Sequence, residues 1–165
     1  MNDQTLLHHI HNALQCVRHP RYFKSERGFQ GAFYAELYKT ISEVLLPKGA
    51  LLEEEYQKNL REHGLEIRPD IIIHEEFDET RHSGRDQGNI AVMELKLKAS
   101  KRGAVGDFES LIQMIQVLRY PIGIFINIGS ELTHAGLVPE EGKGRISCFA
   151  VSLRDGNTHV ILEQP

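Results

Sequence analysis

The chain has 165 residues, of which 41% are hydrophobic and 25% charged, the composition of an ordinary globular protein; this excludes disordered and fibrous classes. Its formal net charge of −4 and pI near 6.1 lack the overall basicity that marks many nucleic-acid binders, so any phosphate binding must come from local clustering. Cys16 and Cys148 lie far apart without metal-ligand spacing and are expected to be buried, reduced thiols. One domain spanning 1–165 is expected. No signal-like N-terminus and no apolar run of the ~20 residues that span a bilayer are present, so the expectation is a cytoplasmic protein without membrane contact.

In chain order, Leu6, Leu7, Ile10, Ala13, Leu14 and Val17 follow helical spacing up to Pro20, which predicts a first helix over residues 6–17. Phe29, Phe33, Leu37, Ile41 and Leu45 recur every fourth residue and predict a second over 29–45, closed by Pro47-Lys48-Gly49. Residues 51–57 and 65–75 read as strands about a polar turn at 59–64, the second carrying Ile71-Ile72-Ile73. Residues 76–89 form a polar loop. A third strand over 90–99 alternates strictly, with Ala91, Met93, Leu95 and Leu97 on one face and Val92, Glu94, Lys96 and Lys98 on the other. After a break at Lys101-Arg102-Gly103, a helix is expected over 107–119, then a β-branched strand over 122–128. Segments 145–153 and 159–163 suggest a hairpin about Asp155-Gly156. This order predicts an α/β fold in which a central mixed sheet is flanked by helices.

The charged face of the third strand carries the chemistry. Glu-x-Lys on a strand places Glu94 and Lys96 roughly 6–7 Å apart on one face, while Leu95 between them turns into the core. Asp70, on the neighbouring predicted strand, supplies a second carboxylate. Two carboxylates with waters are a usual way to hold Mg²⁺, which neutralises phosphate charge and generates hydroxide. An adjacent ammonium orients water or stabilises developing negative charge.

Arg68-Pro69-Asp70 with Glu94-Leu95-Lys96 resembles the PD-(D/E)xK motif of the restriction-endonuclease-like nuclease superfamily. Its members place a helix before a hairpin carrying both motif halves, followed by a helix and a strand. The resemblance covers a core of about 29–128 and leaves the hairpin at about 145–163 outside. It implies a restriction-endonuclease-like core and a Mg²⁺-dependent nuclease acting on nucleic acid, with DNA the expected substrate and Mn²⁺ able to substitute. Asp70 and Glu94 would hold the metal with the Leu95 carbonyl, and Lys96 would position the attacking water. Many members carry a glutamate on the preceding helix; Glu36, beside the apolar stripe between Phe33 and Leu37, is expected to take that place.

Further candidates for nucleic-acid contact are Lys98, Lys101 and Arg102 beyond the motif, and Arg81 and Arg85 in the loop before it. Gln116 and Tyr120 resemble the Gln-x-x-x-Tyr element of exonuclease-like members; aligned on Gln113 instead, the tyrosine position is Val117. His8, His9 and His11 have poor metal spacing and read as surface residues. With so little outside the core, a homodimer or partner subunit is the expected source of selectivity. The rivals are a catalytically inactive module of the same fold that binds nucleic acid or protein, and a structural domain in which Glu94 and Lys96 are surface charges.

Overall fold

The strand Ile122–Ile128, IGIFINI, is apolar at nearly every position and buried along its whole length, a pattern that suits only a strand covered on both faces. It is β4, and the molecule is built around it. In this computed structural model, which describes residues 3–41, 49–54, 64–84 and 86–165, the sheet also contains β1 (Ala50–Glu54), β2 (Ile71–Glu75), β3 (Asn89–Leu97), β5 (Ile146–Arg154) and β6 (Asn157–Glu163), ordered as in the sequence. Strands β1 to β3 are antiparallel, β3 to β5 are parallel, and β6 returns antiparallel on β5. Asp155 and Gly156 close that last hairpin with φ of 48° and 75°, the positive values a two-residue primed turn requires.

Helices α1 (Asp3–Cys16) and α2 (Glu26–Ile41) cover one face. Their Leu6, Ile10, Leu14, Phe29, Phe33 and Leu37 pack on Met93, Leu95, Ile124 and Ile126. Helix α3 (Lys101–Val117) covers the other, with Phe108, Leu111 and Met114 on Val92, Phe125 and Cys148. The fold is therefore α/β with a mixed central sheet flanked by helices, in the order the motif resemblance implies.

Four details differ from the sequence reading. Strand β2 begins at Ile71 and not at Leu65, because Pro69 has no N–H to give a ladder. Helix α3 begins at Lys101: the Ser100 hydroxyl accepts the Gly103 N–H at 3.1 Å, so the apparent break is the capped first turn. Helix α2 starts at Glu26, where the Ser25 hydroxyl accepts the Gly28 N–H at 3.2 Å. Cys16 is exposed whereas Cys148 is buried, and burial pushes the Cys148 thiol up to about 12. The expected ends of the second helix and first strand, at 42–45 and 55–57, lie outside the described residues, as does the turn at 59–63.

The approach of α3 to β4 turns on Gly123. A Cβ there would stand 3.1 Å from Ile115 Cδ1 and 3.4 Å from Leu111 Cβ. Replacing Gly123 by Val, whose backbone preference suits a strand, is expected to destabilise the protein by about 1–3 kcal/mol through overpacking. Urea denaturation would read this as a lower midpoint with an unchanged slope.

Candidate metal and catalytic centre

Strand β3 outruns its neighbour. The β2–β3 ladder pairs Ile71 with Met93, so its last step sets Asp70 opposite Glu94, and beyond that point no strand among the described residues lies beside the β2-side edge of β3. The N–H groups of Leu95 and Leu97 point to that edge, two residues apart. A carboxylate fills each place: Asp70 Oδ2 accepts from Leu95 N at 2.6 Å and Glu26 Oε2 accepts from Leu97 N at 3.0 Å. Because a strand residue presents its N–H and C=O to the same side, the Leu95 carbonyl faces this edge too. Asp70 is fixed again through its own carbonyl, which accepts the Gln30 side-chain amide at 3.1 Å; Gln30 is buried on α2, one turn after Glu26.

Glu94 and Lys96 project to the α3 face, and Leu95 is buried on the other. The Lys96 ammonium lies 3.8 Å from Asp107 Oδ1 on α3 and 4.0 Å from Glu26 Oε1 on α2. Burial works to lower the Lys96 pKa, but the charges of Asp107, Glu26, Asp70 and Glu94 outweigh it and raise it. Lys96 is thus an ammonium at neutral pH.

The carboxyls behave in the opposite sense. Burial raises Glu94 well above the usual range, and the charges of Asp70 and Asp107 push the same way. Burial also raises Asp70, against the lowering effect of the Leu95 N–H. Asp107 is raised to about 6, again chiefly by burial, and its Oδ2 is buried without a hydrogen-bond partner. Four carboxyls, Glu26, Asp70, Glu94 and Asp107, therefore face the single cation Lys96. That deficit, with an orphaned carboxylate oxygen in it, is one that a divalent cation could offset. Among the described residues no three His, Cys, Asp or Glu side chains form a cage by themselves. The donor set that fits is the Asp70 and Glu94 pair with the Leu95 carbonyl.

Glu36 is not in this group. It pairs with Lys39 at 2.8 Å on the solvent side of α2, about 15 Å along the helix axis from Glu26 by the rise per residue. Helix α2 does send a glutamate to the centre, but from its first residue. With the helix expected only from residue 29, Glu26 was missed; a start capped by Ser25 would have shown Glu26 and Gln30 as an i, i+4 pair on one face. Asp107 was hidden by the expectation that the helix starts there, where an acid needs no further explanation.

The other candidates disperse. Lys98, Lys101 and Arg102 are exposed just past the centre. Arg81 is held by Asp78 of its own loop at 2.9 Å and by Glu75 at the end of β2 at 3.9 Å, and Arg85 lies outside the described residues. Gln113 and Gln116 are exposed on α3, about 9 and 14 Å further along the axis than Asp107. Tyr120 is fully buried in the core under α3 and cannot meet a substrate.

Each raised carboxyl binds its proton more tightly folded than unfolded, so its stabilising contribution is present in acid and drains as pH rises to the folded pKa. For Asp107 the window runs from the ordinary 3.8 to about 6. Asp107→Asn, neutral throughout, is expected to melt above the parent at pH 7.5 in EDTA, by on the order of 1 kcal/mol after solvent screening. The gap should close towards pH 4 in thermal melts.

No protein-family model matches the chain, and no curated protein does either. Among solved structures, NucC of P. aeruginosa ATCC27853 in its cAAA-bound form is similar with a TM-score of 0.46 at 12% identity, over 99% of this chain and 84% of that one. No helix among the described residues is long and apolar enough to cross a membrane.

Proposed function

We propose that the protein is a metal-dependent nuclease that hydrolyses phosphodiester bonds, with DNA as its substrate. The observation that carries this reading is the pinning of Asp70 opposite Glu94 at the open edge of β3, with Lys96 on the same strand and an uncompensated negative charge around it. Asp70, Glu94 and the Leu95 carbonyl would hold Mg²⁺ or Mn²⁺, which neutralises phosphate charge and activates water.

This chain's own residues divide the remaining work. The Asp70 and Glu94 carboxyls share a hydrogen bond, and Glu94 keeps its proton well above the usual range; that proton must leave before both oxygens can serve a cation. Lys96 remains charged, so it orients water and stabilises the negative charge that builds on the phosphate, and does not act as a base. Glu26 and Asp107 hold the ammonium from two helices on opposite faces of the sheet. Glu26 takes the place on α2 that the sequence reading gave to Glu36.

With Mg²⁺ or Mn²⁺, purified protein should cut single- or double-stranded DNA, and Ala at Asp70, Glu94 or Lys96 should lower the rate by about 10²–10³ or more. Failure to cut any DNA or RNA under these conditions would overturn the reading. Glu26→Ala should cost about 10–100-fold, whereas Glu36→Ala should leave the rate near that of the parent. In calorimetry, Mn²⁺ binding should release protons, tighten as pH rises through the raised carboxyl pKa values, and vanish in Asp70→Asn. Binding that weakens with rising pH, or survives Asp70→Asn, would place the cation elsewhere.

A further inference from the structure

The connector between α1 and α2 and the first turn of α2 carry cations at every third position, Arg18, Arg21, Lys24 and Arg27, with Glu26 the single acid among residues 17–28. Glu26 is turned inward onto Leu97 and Lys96, so the outer surface is basic throughout, in a protein whose formal net charge is −4. All four cations are exposed.

The backbone aligns the middle two, Arg21 and Lys24, while Ser25 is extended and Arg27 belongs to the first turn of α2. Tyr22, Phe23 and Lys24 donate to the carbonyls of His19, Pro20 and Arg21, and in such a 3₁₀ turn residues three apart eclipse, about 6 Å along the axis. Phe23 anchors the turn against Phe29, ring centroids 5.1 Å apart. Tyr22 is 41% exposed and lies beside His19 at 5.6 Å, a ring face free to stack on a base.

The strip ends at the candidate centre. The bond from Leu97 N to Glu26 draws the start of α2 against the end of β3. From there residues 98–102 lead into α3 and expose Lys98, Lys101 and Arg102. A cleft of about 310 Å³ lined by Arg27, Gln30, Gly31 and Glu54 opens beside the Asp70 peptide that Gln30 holds. Two basic groups thus flank one acidic centre. Arg21, Lys24, Lys98, Lys101 and Arg102 have no ion pair among the described residues. Lys101 and Arg102 also occupy the first turn of α3, where the helix dipole disfavours cations. Internal ion pairing does not account for the placement of these five cations.

We infer that the strip Arg18, Arg21, Lys24 and Arg27 and the group Lys98, Lys101 and Arg102 are the two walls of a groove that holds a nucleic-acid sugar-phosphate backbone over the centre. The inference rests on the proposed nuclease function for its ligand class. The contacts are to phosphates, so they set position and affinity without reading sequence, and affinity falls steeply with salt.

The test measures binding without cleavage: fluorescence anisotropy of labelled DNA and RNA duplexes with the full-length Asp70→Asn protein in EDTA. Arg21→Glu/Lys24→Glu and Lys101→Glu/Arg102→Glu should each weaken binding about tenfold or more. Each should also flatten the slope of log K against log salt by about 1.8, the loss of two phosphate contacts. Lys39→Glu/Lys143→Glu, which changes net charge equally away from the groove, should have little effect. Arg21→Ala/Lys24→Ala replaces the first variant if its melt shows misfolding, with the same flattening of the slope expected. Loss in the control equal to that in the groove variants overturns the assignment, as does binding of neither duplex by the parent. Duplex binding through the groove by a protein that cuts nothing with Mg²⁺ or Mn²⁺ would sink the nuclease reading and leave the groove standing.

Discussion

The hydrogen bond from Leu95 N to the Asp70 carboxylate, 2.6 Å long, is the constraint on which the centre depends. Pro69 prevents β2 from starting earlier, so β3 extends past its neighbour with unpaired N–H groups at Leu95 and Leu97. A buried N–H without an acceptor costs about 1–3 kcal/mol, and no strand among the described residues is there to supply one. Asp70 and Glu26 supply it with one oxygen each, which leaves the second oxygen of each free to face Lys96 and Glu94. The same two contacts that end the ladder therefore aim the carboxylates, and α2 is tied to the sheet at the point where the chemistry is proposed.

The electrostatics follow from that geometry. Placing Glu94 and Lys96 on the α3 face of β3 sets them against Asp107, while α2 brings Glu26 round the open edge. Attraction to Lys96 does not offset the burial of Asp70, Glu94 and Asp107, whose pKa values all rise. The fold thus holds its carboxyls in an arrangement less stable than a neutral core would be, as expected where a site is organised in advance for a ligand of opposite charge. The buried, unpartnered Asp107 Oδ2 is the local sign of that strain.

Much of this was legible in the sequence because strand parity is unambiguous. Alternation about Leu95 placed Glu94 and Lys96 together on one face, and IGIFINI marked a strand covered on both. What the sequence concealed was direction and depth. Glu36 sits beside the apolar stripe just as a buried ligand would, yet periodicity gives an angle around the helix and no position along it, and Glu36 lies too far along. Gly103 looked like a helix breaker because the Ser100 cap that tolerates it is a tertiary detail of one hydroxyl. That misplaced start turned Asp107 into an ordinary terminal acid. Tyr120 matched a motif by spacing, but residues 118–120 pass beneath α3 and carry its ring into the core.

Net charge says less than the distribution of charge. A chain at −4 argues against phosphate binding only if its charges are mixed over the surface. Here several acids are drawn inward to the end of β3, where Glu26 and Asp107 face Lys96, and the neighbouring connector is left basic. Reversing those positions would defeat both proposed functions, because cations at the centre would repel a metal and carboxylates on the rim would repel a backbone. The acidic total and the basic rim are consequences of one arrangement. Its fixed point is Glu26, the first residue of α2, which turns away from the basic strip to accept the Leu97 N–H and so joins the proposed groove to the centre.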